Sequence, residues 1–280
     1  MGIKLDLGLG VNSGGKFYTY QAETRAFFTA TGITSTTHKK AVDYLVKQLK
    51  ANSLYTKFSA LYPFVGGTAD THKIILINPA DSDAAFRIAW SGSVTHDANG
   101  IKGNGTNAYG DTKLNLVATS ASLTSFSLGL YKKVAESAGT SKNYFGAQNS
   151  SAPLQNTGLG WLNAGSTEAG CISANTLPGE FAPSLANAAV NGSIAINCNG
   201  NRNAQFWANG SKVGSAVTQT GVAFSNLNVY ILCTNFAGSP GGYTANIAIS
   251  LAYISTGLSN AEMATLHTIV TAYQTMLGRN

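Results

Sequence analysis

The spacing of hydrophobic positions changes along the chain, and each change predicts a different kind of element. Over the first 20 residues, apolar and polar positions alternate loosely until Asn12-Ser13-Gly14-Gly15, which predicts an extended arm followed by a turn. From Thr36 the apolar residues recur at helical spacing. This predicts one amphipathic helix of about four turns, with Thr36 or Thr37 as its N-cap.

Beyond Pro63 and the Gly66-Gly67 pair, the pattern becomes that of short strands separated by turn residues. Asn199-Gly200 and Asn209-Gly210 lie between strand-like runs, where a two-residue hairpin turn requires positive φ angles. Such spacing over most of the chain predicts an antiparallel β-sandwich or jelly roll. We therefore expect a mainly β fold that carries an N-terminal extended arm and helix and a C-terminal helix.

The last predicted element is a helix that begins at Ser259. Ser259 and Glu262 have the spacing of a capping box. The helix should dock on the sandwich through an apolar stripe of Leu266, Ile269, Val270, Tyr273 and Leu277. The predicted division of the chain is an arm and amphipathic helix for anchoring or assembly in residues 1–65, and the sandwich with its C-terminal helix in residues 66–280.

Composition supports this fold class and limits the partners. Only 11% of residues are charged, 44% are hydrophobic and 31 are glycines, which is typical of turn-rich β proteins. The net charge of +6 reflects few acids rather than a basic cluster interleaved with aromatics, so we expect no nucleic-acid partner. The densest lysines lie on and just after the first predicted helix, where a solvated face is favoured over a surface for an acidic partner.

The cysteines and the N-terminus indicate an ordinary reducing cytosol as the place of synthesis. Cys171, Cys198 and Cys233 form no CxxC pair, so we expect buried, reduced thiols. The first residues lack the apolar core of a signal peptide, and no apolar run reaches membrane-spanning length. We expect no signal peptide and no membrane partner.

Acids and bases that could catalyse hydrolysis are scarce in the predicted β core. No Asp follows Asp111, and no His lies between His96 and His267. Hydrolysis of sugars normally needs two carboxylates at a fixed separation, and a calcium site needs several clustered ones. The remaining candidate acids, none with a second acid at i+2 or i+4, are Glu136, Glu168 and Glu180. The sequence predicts a non-enzymatic protein without a metal or cofactor.

Four segments, in order, resemble the concanavalin A-like lectin/glucanase superfamily in the laminin-G-like form found in bacteriophage structural proteins. The first ends in G-x-G-T-N-x-Y-x-D-T, the third reads aromatic-x-N-G-x-x-V, and the last continues into L-S-x-A-E. The segments are residues 96–112, 125–131, 206–214 and 245–263. A block at residues 62–87 is similar to a stretch of phage virion proteins that carry this domain. The E-x-D-x-x-E strand of the glucanase members is absent.

The resemblance implies a bacteriophage virion structural protein, used as a capsid decoration, head-fibre or tail component. Its partners would be other capsid or tail proteins, and the protein would form a homo-oligomer or occur in many copies on the particle. It would be made in the host cytoplasm and located in the virion. The candidate assembly residues are Leu5, Leu7 and Leu9 of the arm and Lys39, Lys40 and Lys47 of the helix.

The outer face of the sandwich is a candidate surface for cell-surface or mucosal glycans, because aromatic rings stack on sugars and amides bind their hydroxyl groups. The candidate glycan residues are Trp161, Tyr144, Asn163, Phe236 and Tyr243. Trp207 has a strand position that favours the core. Two alternatives remain: a glycan-cleaving enzyme of the glucanase or lyase type that uses one of the three core glutamates, and a purely architectural cement protein without a ligand.

Overall fold

The computed structural model describes residues 9–11, 17–133, 142–160, 169–175, 191–245 and 247–279. These residues form two sheets packed face to face, with helices on the outer face of one sheet. The predicted mainly β, antiparallel sandwich is confirmed. The helices are α1 (Ala22–Thr31), α2 (Thr36–Ala51), α3 (Ala69–His72) and α4 (Asn260–Met276), with 3₁₀ turns at Tyr55–Lys57, Asp83–Ala85 and Leu116–Ala118.

Sheet I carries the helices and has eight strands among the described residues. Its order is β14 (Ser211–Thr218), β13 (Asn203–Ala208), β12 (Gly192–Asn199), β8 (Ser125–Lys133), β18 (Ala248–Ser255), β6 (Gly100–Lys102) and β5 (Thr95–Asp97), and β3 (Phe58–Tyr62) pairs with the other end of β18. All of these pairs are antiparallel. Strand β3 lies before the predicted boundary at residue 65. The sandwich therefore includes a strand from the segment that the predicted division assigned to the arm and helix.

Sheet II faces sheet I and also has eight described strands. Its order is β11 (Gly170–Ala174), β10 (Asn156–Leu159), β9 (Phe145–Gln148), β15 (Asn228–Ile231), β7 (Tyr109–Asn115) and β4 (Ala89–Ser91), with β16 (Thr234–Phe236) and β17 (Ser239–Gly241) as a hairpin that joins β9. The β16–β9 pair is parallel. A separate hairpin, β1 (Leu9–Val11) and β2 (Phe17–Thr19), precedes α1.

Two hydrophobic cores hold the fold together. The first fills the space between the sheets and contains residues such as Ile196 and Phe206. The second lies between the outer face of sheet I and the helices, and contains Trp207 and Tyr253 together with the apolar residues of α2 and α4. Alternation along β13 sends Phe206 into one core and Trp207 into the other. Sheet I is therefore covered on both faces over much of its area.

The helix predictions are largely confirmed, with two corrections. The capping box at Ser259 and Glu262 is present, and α4 buries its apolar stripe against sheet I. The N-cap of α2 is Ser35 rather than Thr36 or Thr37, because the Ser35 hydroxyl accepts from the backbone N–H of His38. Helix α1 was not predicted, since its short apolar cluster spans too few turns for a periodic signal.

The predicted hairpin turns have different outcomes. Asn209-Gly210 forms the expected two-residue turn with φ angles of 48° and 76°. Asn199 instead ends β12, and only Gly200 of that pair has a positive φ. All three cysteines are free and buried, as predicted. The turn predicted at residues 12–15 lies outside the described residues.

Candidate functional site

A groove of about 370 Å³ lies on the outer face of sheet I, beside the start of α4. It falls within the size range of ligand sites. We call it the amide groove, because its lining is dominated by carboxamide side chains. These are Asn197, Asn199, Asn201, Asn203, Gln205 and Asn260, and the lining is completed by Trp207, Lys212, Ala216, Leu258 and Ser259.

The amides come together because of a strict alternation in the sequence. From residue 197 to 205 every odd position is Asn or Gln, and residue 207 is Trp. Strands β12 and β13 form an antiparallel pair in which Asn197 lies opposite Gln205. Since side chains alternate between the faces of a strand, Cys198 and Phe206 enter the first core and the amides point outward. The sequence analysis did not identify these amides as a candidate site, although their recurrence at every second position is visible in the sequence.

Four of the amides make hydrogen bonds within the protein. The side-chain oxygen of Asn201 accepts from the backbone N–H of Asn203, and that of Asn203 accepts from the Thr218 hydroxyl. The other two are Asn197 and Gln205.

The side-chain N–H of Asn197 donates to the carbonyl of Leu258, and its oxygen accepts from the Leu258 N–H, both at 2.9 Å. This pair holds the segment that leads into α4 against β12. The side-chain N–H of Gln205 donates to the carbonyl of Val213 at 2.8 Å. These bonds shape the groove before any ligand arrives.

The remaining two amides of the described lining are free to bind a ligand. Asn199 and Asn260 are exposed, and their side chains have no hydrogen-bond partner in the part of the chain that the structure describes. Each carboxamide offers two donor hydrogens and an acceptor oxygen. The rim of the groove can therefore both donate hydrogen bonds to a polar ligand and accept them from it.

Trp207 and Lys212 supply the apolar and charged parts of the lining. They are cross-strand partners, and the Lys212 ammonium lies 5.8 Å from the centre of a Trp207 ring. The indole is buried, with 4% of its surface exposed, and its Nε1–H has no hydrogen-bond partner among the residues that the structure describes. The favoured core position of Trp207 is confirmed, although the core is the one under the helices. Lys212 is the only charged side chain among the described residues of the lining.

The structure separates the predicted glycan residues. The predicted surface role of Tyr144 is wrong, because its side chain is fully buried between the sheets. Gly160 leaves room for the ring, since a Cβ atom on residue 160 would lie 2.0 Å from it. Tyr144 therefore cannot stack on a sugar at the surface. Trp161 and Asn163 lie outside the described residues.

Phe236 and Tyr243 remain partly exposed at the β16–β17 hairpin of sheet II, away from the amide groove. The Tyr243 ring lies 6.4 Å from the ring of Tyr109, which stacks with Tyr230 at 5.0 Å. The three tyrosines form an aromatic cluster on the outer face of sheet II. Because Tyr243 is partly exposed in this cluster, its contact with a sugar remains a prediction.

The three lysines predicted for assembly lie on α2, and Leu9 lies in the N-terminal hairpin. Leu9 begins β1 and pairs with Thr19, while Leu5 and Leu7 lie outside the described residues. The Lys39 ammonium lies 5.5 Å from the centre of the Phe28 ring. Lys40 and Lys47 line a second groove on the helical side of the molecule.

Within the described ranges, no three His, Cys, Asp or Glu side chains are placed to hold a metal ion. The glutamates of the enzymatic alternative, Glu136, Glu168 and Glu180, all lie outside these ranges. None of the helices described is long and apolar enough to cross a membrane.

No protein-family model and no curated protein sequence matches the chain. Solved structures share its fold at low identity. A receptor binding domain is 15% identical, with a TM-score of 0.54 over 78% of this chain and 52% of that one. The binding domain of botulinum neurotoxin serotype D is 10% identical, with a TM-score of 0.51 over 78% of this chain and 53% of that one.

A mutant sialidase of Trypanosoma rangeli that displays trans-sialidase activity is 13% identical, with a TM-score of 0.51 over 86% of this chain and 40% of that one. This chain thus spans about half or less of each of these chains. At such identities the likeness shows the fold alone, a β-sandwich of the kind that the concanavalin A-like resemblance implies.

Proposed function

We propose that this chain is a non-enzymatic bacteriophage virion protein that binds glycans through the amide groove. The observation that carries the glycan part is the alternation over residues 197–207, which places five amides and an indole in one groove. Two of the similar structures are binding domains, which agrees with a binding role for this fold.

The chemistry of the groove suits a neutral, hydroxyl-rich ligand. A sugar hydroxyl both donates and accepts hydrogen bonds, and a carboxamide matches both roles without carrying a charge. Asn199 and Asn260 have these groups free as far as the described residues go, and Trp207 lines the base of the groove. No Asp or Glu is present among the described residues of the lining, so these residues do not supply the carboxylate pair that glycoside cleavage uses.

The virion part of the proposal is supported by the order of the four segments that resemble phage structural proteins. In such a particle the chain would be a capsid decoration, head-fibre or tail component present in many copies. Many weak glycan contacts would then add up to tight attachment through avidity.

Binding of the purified chain to a glycan array, followed by titration of the strongest glycan, tests the glycan part. We expect the double variant Asn199→Ala/Asn260→Ala to weaken binding about thirtyfold, since each of the two lost hydrogen bonds is worth about 1 kcal/mol. The matched control, Asn99→Ala/Asn226→Ala, removes two exposed amides elsewhere and should bind as the wild type does. Background binding of the wild type would instead favour the architectural alternative.

Immunogold labelling of purified particles of the phage that encodes the chain tests the virion part. We expect labels at regular positions on the particle surface. If the particles carry no label while infected cells contain the protein, the virion role is wrong. Turnover of array glycans by the wild type would contradict the non-enzymatic part.

A further inference from the structure

A second groove of about 360 Å³ lies on the helical side of the molecule, away from the amide groove. It runs between the end of the β1–β2 hairpin, the exposed face of α2 and the last turn of α4. We call it the lysine groove. Its lining consists of Tyr18, Lys40, Tyr44, Lys47, Gln48 and Met276.

One wall of the lysine groove is held in place by the carboxylate of Asp43. Asp43 is fully buried, and its two oxygens accept hydrogen bonds from the Tyr18 hydroxyl and the backbone N–H of Gln21. The ammonium of Lys47 lies 2.8 Å from the same carboxylate. Because these bonds fix Tyr18 against α2, this wall of the groove is in place before a ligand binds.

The groove carries positive charge that the described part of the chain does not neutralise. Lys47 compensates Asp43, and Lys50 pairs with Glu23 at 2.7 Å. Lys40 in the lining and Lys39, which lies outside the lining with its ammonium over the Phe28 ring, have no acidic partner among the residues that the structure describes. An acidic ligand would therefore meet one uncompensated ammonium in the groove, that of Lys40, and a second beside the groove on the adjacent residue of α2.

The groove also exposes apolar surface beside these charges. Met276 is 38% exposed, one of the largest exposures of a bulky hydrophobic side chain in the described ranges. Tyr18 and Tyr44 are partly exposed next to it. Cations bordering apolar surface match a ligand that has both carboxylates and apolar side chains.

We propose that the lysine groove binds an acidic segment of a partner protein, whose carboxylates contact Lys40 in the groove and Lys39 beside it and whose apolar side chains contact Tyr44 and Met276. A second copy of this chain is a poorer fit, because the chain has 18 basic and only 12 acidic residues. As far as the partner is another particle protein, the inference rests on the proposed virion role. The groove and its charges are independent of glycan binding.

Fluorescence anisotropy with a labelled peptide of 12 alternating Glu and Leu residues tests the inference on the full chain. We expect saturable binding that weakens as salt is added. The variant Lys39→Glu/Lys40→Glu should bind the peptide about tenfold or more weakly, since two charge contacts become repulsive. Met276→Ser should also weaken binding, through loss of apolar contact.

The control variant, Lys102→Glu/Lys133→Glu, makes the same change in net charge on β6 and β8 and should bind as the wild type does. An equal loss in both variants would show non-specific charge attraction and overturn the inference. So would unchanged peptide binding in Lys39→Glu/Lys40→Glu, or a wild-type dimer that this variant abolishes.

Glycan binding of the same variants separates the two proposals. We expect Lys39→Glu/Lys40→Glu to keep glycan binding while losing the peptide. If the wild type binds no glycan but binds the peptide at the lysine groove, the glycan part of the proposed function fails and this inference stands.

Discussion

The hydroxyl of Tyr18 donates a hydrogen bond of 2.5 Å to a carboxylate oxygen of Asp43, an acid that has no exposed surface. Burial, together with this bond to Asp43, raises the pKa of Tyr18. The contact joins the end of the N-terminal hairpin to α2, and α2 packs with α4 in the second core. Asp43 thus connects the start of the described chain to the helices that cover sheet I.

Replacing Asp43 with Asn should lower the free energy of unfolding by about 1–3 kcal/mol, because a buried, charged acceptor is lost and Lys47 is left without its partner. Denaturant unfolding followed by circular dichroism measures the change. The control variant Asp70→Asn breaks an ion pair whose acid is 89% exposed and should change stability by less than about 0.5 kcal/mol. Equal effects of the two substitutions would contradict the anchoring role of Asp43.

The buried His72 and the half-buried His96 beside it should make the fold sensitive to mild acid. The N–H of Gly67 donates to Nε2 of His72, so the ring proton of His72 lies on Nδ1, which is 3.2 Å from Nδ1 of His96. Burial, with the neighbouring His96, lowers the pKa of His72 to about 3. Burial also lowers the pKa of His96.

Because the unfolded chain binds these protons and the folded chain does not, stability is fully present above the unfolded pKa of about 6.5 and falls as the pH drops below it. For His72 alone we expect a loss of about 2 kcal/mol between pH 6.5 and 5. Urea unfolding at several pH values measures this slope. The variant His72→Gln should have a shallower slope, and an unchanged slope would contradict the account.

Gly129 gives room to a ring of the second core. A Cβ atom at this position would lie 2.4 Å from the ring of Tyr253 on the neighbouring strand. Gly129→Ala should therefore destabilise the protein by about 1–3 kcal/mol through overpacking. The double variant Gly129→Ala/Tyr253→Leu should recover part of that loss in thermal unfolding. Additive losses would show that the two side chains do not compete for the same space.

The cysteines should be unreactive while the protein is folded. Burial raises the pKa of Cys198 to about 11 and that of Cys233 to about 12, so the reactive thiolate is rare at neutral pH. We expect alkylation by iodoacetamide at pH 8 to be slow in the native protein and fast in denaturant, as read by mass spectrometry. Rapid native labelling of Cys233 would show that sheet II opens easily.

The parts of the fold that were predicted correctly have local causes in the sequence. The capping box of α4 and the Asn209-Gly210 turn each depend on residues within a few positions. Tyr144 was misplaced because its burial depends on Gly160, across a strand pairing that a single sequence does not reveal.

The candidate site was visible only in part. The alternation of amides over residues 197–205 predicts a polar strand face, but the groove also needs α4, which Asn197 anchors through Leu258, 61 residues further along the chain. The second core was likewise not predictable. It depends on the register of sheet I and on helices from both ends of the chain.

The most direct test of glycan binding at the amide groove is a titration of the ¹⁵N-labelled protein with the strongest array glycan, followed by NMR of the side-chain N–H groups. We predict that the amide signals of Asn199 and Asn260 and the indole signal of Trp207 shift together and saturate. Shifts confined to residues near Tyr109 and Tyr243 on sheet II, with the groove signals unchanged, would contradict the account.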